Sequence, residues 1–278
     1  PVHQGRPDPG RRLMATLSAT ILGCGSSGGV PRFGPDWGAC DPANPRNARR
    51  RCSLLVQRVT PDGTTSVLID TSPDLRAQLL DAKVSRLDAV LYTHAHADHV
   101  HGIDDLRQVV FNLRRRLQVW ADGPTQEALY SRFGYAFVQP KDSAYPPILD
   151  MNTIHGDVTI VGAGGSVTLQ PIAVQHGTMD ALGFRIGDLV YLPDVSGIYP
   201  DTWAKLMGLD CWVLDALRRK PHPTHAHLAQ SLDWIARAKP RRAVLTNMHI
   251  DLDYATVDAE TPANVTPAHD GMTIAYEV

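Results

Sequence analysis

"THAHADHVHGIDDL", residues 93–106, puts four histidines and three aspartates directly behind the apolar run "LDAVLY" (87–92). The run reads as a buried strand, and polar residues that follow such a strand are presented at its carboxyl end, where catalytic groups are commonly placed. Imidazoles at i and i+2 in extended or tight-loop backbone point the same way, so His94 and His96 can share one metal ion. Asp98 and His99, one turn further on, face a neighbouring position. Two first-row cations about 3.5 to 4 Å apart need this mixture of nitrogen and oxygen donors. His101 falls outside the spacing, and Asp104 and Asp105 are expected to cap a helix beginning near Ile103.

Four residues do not complete two coordination shells, so further donors are required at other strand ends. The chain supplies His176 in "AVQHG", Asp194 in "VYLPDVSG" and His249 in "VLTNMHID", each behind an apolar run. Placement at strand ends, shared with His94, singles these three out.

Elsewhere, short β-rich runs bounded by Gly, Pro, Asp or Asn recur from "TLSATILG" (16–23) to "MTIAYEV" (272–278). Helical periodicity is expected over 73–82, 103–113, 124–134, 200–208 and 227–238. Strands outnumber helices by about two to one and several follow one another as hairpins, which excludes a simple alternating parallel sheet. Two mixed sheets packed face to face with helices outside, an α/β (α+β) arrangement in one domain over 14–278, fit the order. Residues 1–13, "PVHQGRPDPGRRL", are read as a disordered extension left out of the fold.

The net charge of −2 over 278 residues gives no global basic field, so extended nucleic-acid binding is not expected. The local basic clusters at 46–52, 113–117 and 217–222 read as solvated faces. Four cysteines without regular spacing make no disulfide framework, and no apolar stretch is long enough for a membrane span. The cytoplasm is the expected location.

The pattern H-x-H-x-D-H, an isolated His, an Asp after a strand and a final His resembles the metallo-β-lactamase superfamily. Its fold, an αββα sandwich, agrees with the strand count. The resemblance implies that His94, His96 and His176 hold one metal, that Asp98, His99 and His249 hold a second, and that Asp194 bridges them. Asp70 in "VLIDTSPD" matches the aspartate that orients the ligand loop without binding metal. "LGCGSSGGVPRFG", "RRRCSLLV", "THAHADHVHGIDDLR", "HPTHAHL" and "HDGMTI" further resemble the PhnP-type phosphodiesterases, which open a cyclic ribose phosphodiester with two divalent ions, often manganese; zinc is the other expected metal.

The activity so implied is hydrolysis of a small phosphodiester by a metal-bridging hydroxide, with a histidine as general acid. Asp98 and Asp194 count with that histidine among the catalytic groups. "PHPTHAHL" offers His222, His225 and His227; aligned with the family motif, His225 takes the acid position and His227 falls at a helix start. Arg107 and the backbone at Gly28 and Gly29 are candidate substrate contacts. The expected partner is a small-molecule phosphodiester, with no membrane, and a homodimer is among the oligomeric states left open.

Two departures from the family stand out. Its structural zinc on four cysteines retains only Cys40 and Cys52 here, with Pro35 and Trp37 where two thiolates would stand, so that site is expected to be lost. "TNMH" replaces a Thr-His pair at the final ligand and moves the imidazole two residues along. Among rivals, the transfer-RNA 3′ processing nucleases carry a long basic arm where His176 and Asp194 here leave a short hairpin. Lactam or thioester hydrolysis, and a non-hydrolytic cofactor-biosynthesis accessory role, remain as alternatives.

Overall fold

Runs such as "SLLV" and "VLYT" are apolar at consecutive positions, a pattern that only a strand covered on both faces can bury. The computed structural model, which describes residues 15–277, shows how this is met. Leu54, Val56, Val67, Ile69, Ala89 and Leu91 point into a core shared with a second sheet. Leu55, Leu68, Val90 and Tyr92, one residue out of phase with them, point into a separate core beneath helices.

The first sheet contains β1 (Thr16–Gly23), β2 (Ser53–Thr60), β3 (Gly63–Ile69), β4 (Ala89–Leu91), β5 (Leu117–Ala121) and β6 (Leu149–Thr153). The second contains β7 (Val158–Gly162), β8 (Gly165–His176), β9 (Met179–Ile186), β10 (Leu189–Leu192), β11 (Cys211–Asp215), β12 (Arg242–Thr246) and β13 (Val265–Pro267). β14 (Thr273–Glu277) returns to pair with β1, giving the orders β14-β1-β2-β3-β4-β5-β6 and β13-β12-β11-β10-β9-β8-β7. Each sheet is antiparallel at one end and parallel at the other, with the change of sense at β3 and at β10.

Among the described residues six α-helices accompany them: α1 (Leu75–Asp81), α2 (Ala97–Val100), α3 (Leu106–Leu113), α4 (Gly123–Phe137), α5 (Leu228–Ala238) and α6 (Tyr254–Glu260). The first and third cover the outer face of the first sheet through Leu75, Leu79, Leu106 and Val109, and α5 buries Leu228 and Ile235 against the second. The result is the expected αββα sandwich. The stretch at 200–208 forms a 3₁₀ helix, Pro200–Leu206. The extension assigned to residues 1–13 lies outside the described residues.

Asp104 and Asp105 do not cap the helix that they open. Neither makes a capping bond; Asp105 accepts from the Arg76 amide at 3.2 Å and Asp104 from the Tyr135 hydroxyl at 2.5 Å, so the two tie α1 and α4 to this turn. The basic cluster at 46–52 is also not wholly solvated. Arg49 is buried and donates to Asn47 Oδ1 (3.1 Å) and the Leu252 carbonyl (2.7 Å).

Asp253 completes this latch between the two loops. Its carboxylate accepts from the Thr256 amide at 2.9 Å, capping α6, from the Asp41 amide at 3.1 Å and from Asn47 Nδ2 at 2.6 Å. Burial alone would raise its pKa, but these donors hold it down to about 2. The folded value lies below the unfolded value of about 3.9, so this stabilisation is present above about pH 4 and is lost as pH falls through 2. Asp253→Ala is expected to cost about 2 kcal/mol at pH 7 by denaturant unfolding, from the lost cap and an orphaned Asn47. The gap between variant and wild type should close between pH 4 and 2; a gap independent of pH would contradict this role.

Candidate metal centre

Strands β3 and β4 run parallel, as do β10, β11 and β12, and β8 points the same way as β10 because two antiparallel pairings separate them. Their carboxyl ends therefore gather along one edge of the sandwich. Asp70 follows β3, His94 follows β4, His176 ends β8, Asp194 follows β10, Asp215 ends β11 and Asn247 follows β12.

His94, His96, His176 and Asp194 each bring one donor atom to within 4.8 Å of the other three. Asp194 is the hub. Its Oδ2 lies 3.7 Å from His94 Nε2 and 3.5 Å from His176 Nε2, and its Oδ1 lies 3.1 Å from His99 Nε2. Asp98 approaches the same His99 nitrogen at 3.6 Å.

The ring orientations are set from behind. Asp70, at a left-handed φ of 64°, accepts from the Thr93 amide (2.8 Å) and hydroxyl (2.8 Å) and from His99 Nδ1 (2.7 Å). Thr93 Oγ1 in turn meets His94 Nδ1 at 2.9 Å, and His176 Nδ1 donates to the Thr224 carbonyl at 2.6 Å. With one nitrogen of each ring committed, the Nε2 atoms converge on Asp194. That of His94 is buried without a hydrogen-bond partner, whereas that of His99 faces Asp194 Oδ1. An orphaned buried lone pair beside an ionised carboxylate is what a cation site requires and what a hydrogen-bonded core avoids.

Electrostatics agree for most of the set. Burial, reinforced by the charge of His99, holds His94 well below the ordinary imidazole value, and burial also lowers His176. Burial would raise Asp194, but His99, His94 and His225 pull it well below the carboxylate range. Neutral imidazoles and an ionised carboxylate are the ligating forms. His99 differs: burial lowers it, yet Asp194, Asp70 and Asp98 outweigh burial and raise it. A cation between Asp98 and Asp194 would have to displace that proton.

His225 stands beside the cluster, with Nδ1 3.8 Å from Asp194 Oδ2 and 2.9 Å from Asp215 Oδ2. Burial pushes Asp215 up to about 7, and the Asp215 carboxylate, outweighing burial, holds His225 up to about 9. The pair thus keeps a proton at neutral pH, on a hydrogen bond of ordinary length. Asp215 did not emerge from the sequence reading; its signal was the acidic end of "CWVLD", the same strand-end placement that singled out Asp194.

His249 is not brought to the cluster. Its Nε2 accepts from the Arg32 guanidinium, and its Nδ1 faces Asp251 at 3.3 Å. The strand-end position belongs to Asn247, at a φ of 60°, after which Met248 bridges Gly25 and carries the chain away. Asn247 Nδ2 donates to the Pro193 carbonyl (3.1 Å) and Asp194 Oδ1 (3.3 Å). It also lies 3.2 Å from His225 Nδ1, but that nitrogen already gives its proton to Asp215. An amide nitrogen donates and does not ligate, so the side of the cluster near Asp98 has one imidazole fewer than the sequence pattern implied.

Arg107 is likewise elsewhere. It pairs with Asp104 at 3.9 Å on the helical face of the first sheet, among Leu80, Val84 and Phe111. His227 sits at the N-terminal boundary of α5 without a capping bond, and His101 packs edge-on against Phe133 at 5.5 Å. Gly28 and Gly29, by contrast, line a groove that also contains Asp98. The remaining thiols occupy separate surroundings: Cys40 faces the Ile250 carbonyl at 3.5 Å and Arg49 at 3.9 Å, whereas Cys52 faces the Gly25 carbonyl at 3.6 Å. No cysteine enters the metal-competent cluster found among the described residues.

Residues 65–250 match the β-lactamase superfamily domain, and the chain belongs to that family, with the metallo-β-lactamase fold. Within it the chain is of PhnP type. Its structure superposes with a TM-score of 0.85 on the crystal structure of a new diphosphatase from the PhnP family, 35% identical, over 95% of this chain and 99% of the other. An octanoyltransferase of Porphyromonas gingivalis is 32% identical over 261 residues, 92% of this chain but 51% of its own length. The chain thus spans about half of that relative. A coenzyme PQQ synthesis protein B from a Methylobacterium species is 27% identical over 72% of each chain.

Proposed function

We propose that this chain is a dinuclear metal-dependent phosphodiesterase acting on a small diester, with His225 as general acid. The observation that carries this reading is the paired arrangement of Asp194 and His225. A carboxylate with two faces toward histidines adjoins a protonated imidazole whose other partner, Asp215, is buried (3.8 and 2.9 Å from His225 Nδ1).

In this reading His94, His96, His176 and Asp194 hold one ion; Asp98, His99 and Asp194 hold the other, with no fourth protein ligand from His249. Bound there, divalent ions such as manganese or zinc would polarise the non-bridging phosphoryl oxygens and lower the pKa of a water molecule. The protein's own part follows from the geometry. Asp70, Thr93 and Thr224 fix the imidazoles before substrate arrives, so little reorganisation remains for the reaction. Asp215 sets the His225 ring by holding its Nδ1–H, which leaves Nε2 to give a proton to the departing alkoxide.

An alkoxide needs that proton far more than a thiolate does, which favours phosphodiesters over thioesters as substrates. Among the described residues no helix is long and apolar enough to cross a membrane. All four cysteines are free and buried, which suits a reducing compartment such as the cytoplasm.

The test is to strip the protein of metal and supply bis(p-nitrophenyl) phosphate, p-nitrophenyl phosphate and a β-lactam. Returning manganese or zinc should restore cleavage of the diester alone. Two bound ions with an inert diester would transfer the assignment to a carbonyl substrate or to the non-hydrolytic role suggested by the coenzyme PQQ synthesis relatives.

A further inference from the structure

Beside Asp98 a groove of about 920 Å³ runs past Pro73, Gly28 and Gly29 to the turn Arg32–Asp36. Its size is that of a small-molecule site. Reciprocal backbone bonds between Arg32 and Asp36, 2.9 and 3.1 Å, close the turn and hold Phe33 near its tip. Phe33 is fully exposed, more so than any other large apolar side chain described.

Scattered exposed apolar residues are common and need no explanation on their own. Phe33 differs because of its neighbours. Arg50 and Arg51 are paired with Asp81 (2.6 Å) and Asp74 (3.0 Å). Among the described residues, Arg32 has no carboxylate within pairing distance; its guanidinium rests on His249 Nε2 and its stem passes over Gly28. One His249 lone pair takes one of five guanidinium N–H groups, which leaves donors for an anion. The groove therefore presents an open aromatic face and an uncompensated cation from consecutive residues, and it ends at Asp98 of the metal cluster.

A guanidinium fork fits phosphate oxygens, and an exposed phenyl face takes a planar base by stacking. We infer that the substrate carries a nucleoside on the non-departing side of its phosphodiester, with the base on Phe33 and a phosphate oxygen on Arg32, which His249 positions. This rests on the phosphodiesterase reading of the adjoining cluster. It also gives a use for His249, which the metal cluster does not take up.

Binding separates the two readings because it is measured without turnover. Uridine 5′-monophosphate and ribose 5-phosphate, titrated calorimetrically into manganese-loaded protein, share a phosphate and a pentose and differ in the base. The nucleotide is expected to bind about tenfold more tightly, the effect of one base–aromatic stack. Phe33→Ala should reduce that preference to about twofold without changing ribose 5-phosphate, Phe33→Trp should keep it, and Arg32→Ala should weaken both ligands alike. Equal binding of the two ligands by wild type, no binding of the nucleotide, or a preference that survives Phe33→Ala would overturn the inference. Nucleotide preference in a protein that hydrolyses no diester would refute the phosphodiesterase reading and leave this site standing.

Discussion

Asp194→Ala protein is expected to carry less than one metal ion per chain by elemental analysis and to lose diester turnover on the order of 10³-fold. The reason is its position: both carboxylate oxygens are engaged, Oδ1 with His99 at 3.1 Å and Oδ2 with His176 at 3.5 Å and His94 at 3.7 Å. Removing it leaves His94 and His176 without the carboxylate that faces them both, so each ion loses its shared ligand. Asp194→Asn, nearly the same shape, guards against a trivial folding failure and should show the same loss of metal. Full metal retention in both variants would break the bridging assignment.

His225→Ala is expected to behave in the opposite way, keeping its metal while turnover falls. The loss should depend on the leaving group: on the order of 10²- to 10⁴-fold for alkyl diesters, whose alkoxide must be protonated, and far less for p-nitrophenyl esters, whose phenolate leaves unaided. Equal losses on the two kinds of ester would remove His225 from the acid role. Asp215 acts through His225 by its 2.9 Å bond to Nδ1. Its replacement by Asn should therefore repeat the leaving-group dependence more mildly.

Much of this centre was legible in the chain because strand-end placement and H-x-H-x-D-H spacing are local properties. His94, His96, Asp98 and His99 need only one strand and one tight turn to converge. His176 and Asp194 were found by the same rule applied to later strands. The rule fails at β12 because it ranks residues by their power to ligate: it selects His249 over Asn247, the residue at the strand end. What redirected His249 is non-local, a bridge from Met248 to Gly25 together with Arg32 from the turn before β2.

Arg107 illustrates the same limit. A guanidinium one helical turn past the ligand loop looks close in sequence, but α3 turns it outward to Asp104. Among the elements, β6, β7 and β13 carry the weakest strand signals in the chain. "LDMNT" has only one buried residue, "VTIVG" is an edge strand and "VTP" ends in a proline, so none shows a sustained apolar run. Helix α6 was missed because its seven residues bury only Tyr254 and Val257; its start depends on the Asp253 cap.

The central claim is that two ions act together across Asp194, and a metal titration tests it most directly. Metal-stripped protein is titrated with manganese while bound ion and bis(p-nitrophenyl) phosphate hydrolysis are followed together. The first equivalent should bind tightly, at the three-histidine side, with little activity. The second should bind more weakly, since Asn247 stands where an imidazole would be, and hydrolysis should rise with it. Full activity at one equivalent, or two ions bound with no hydrolysis of any diester, would contradict the account.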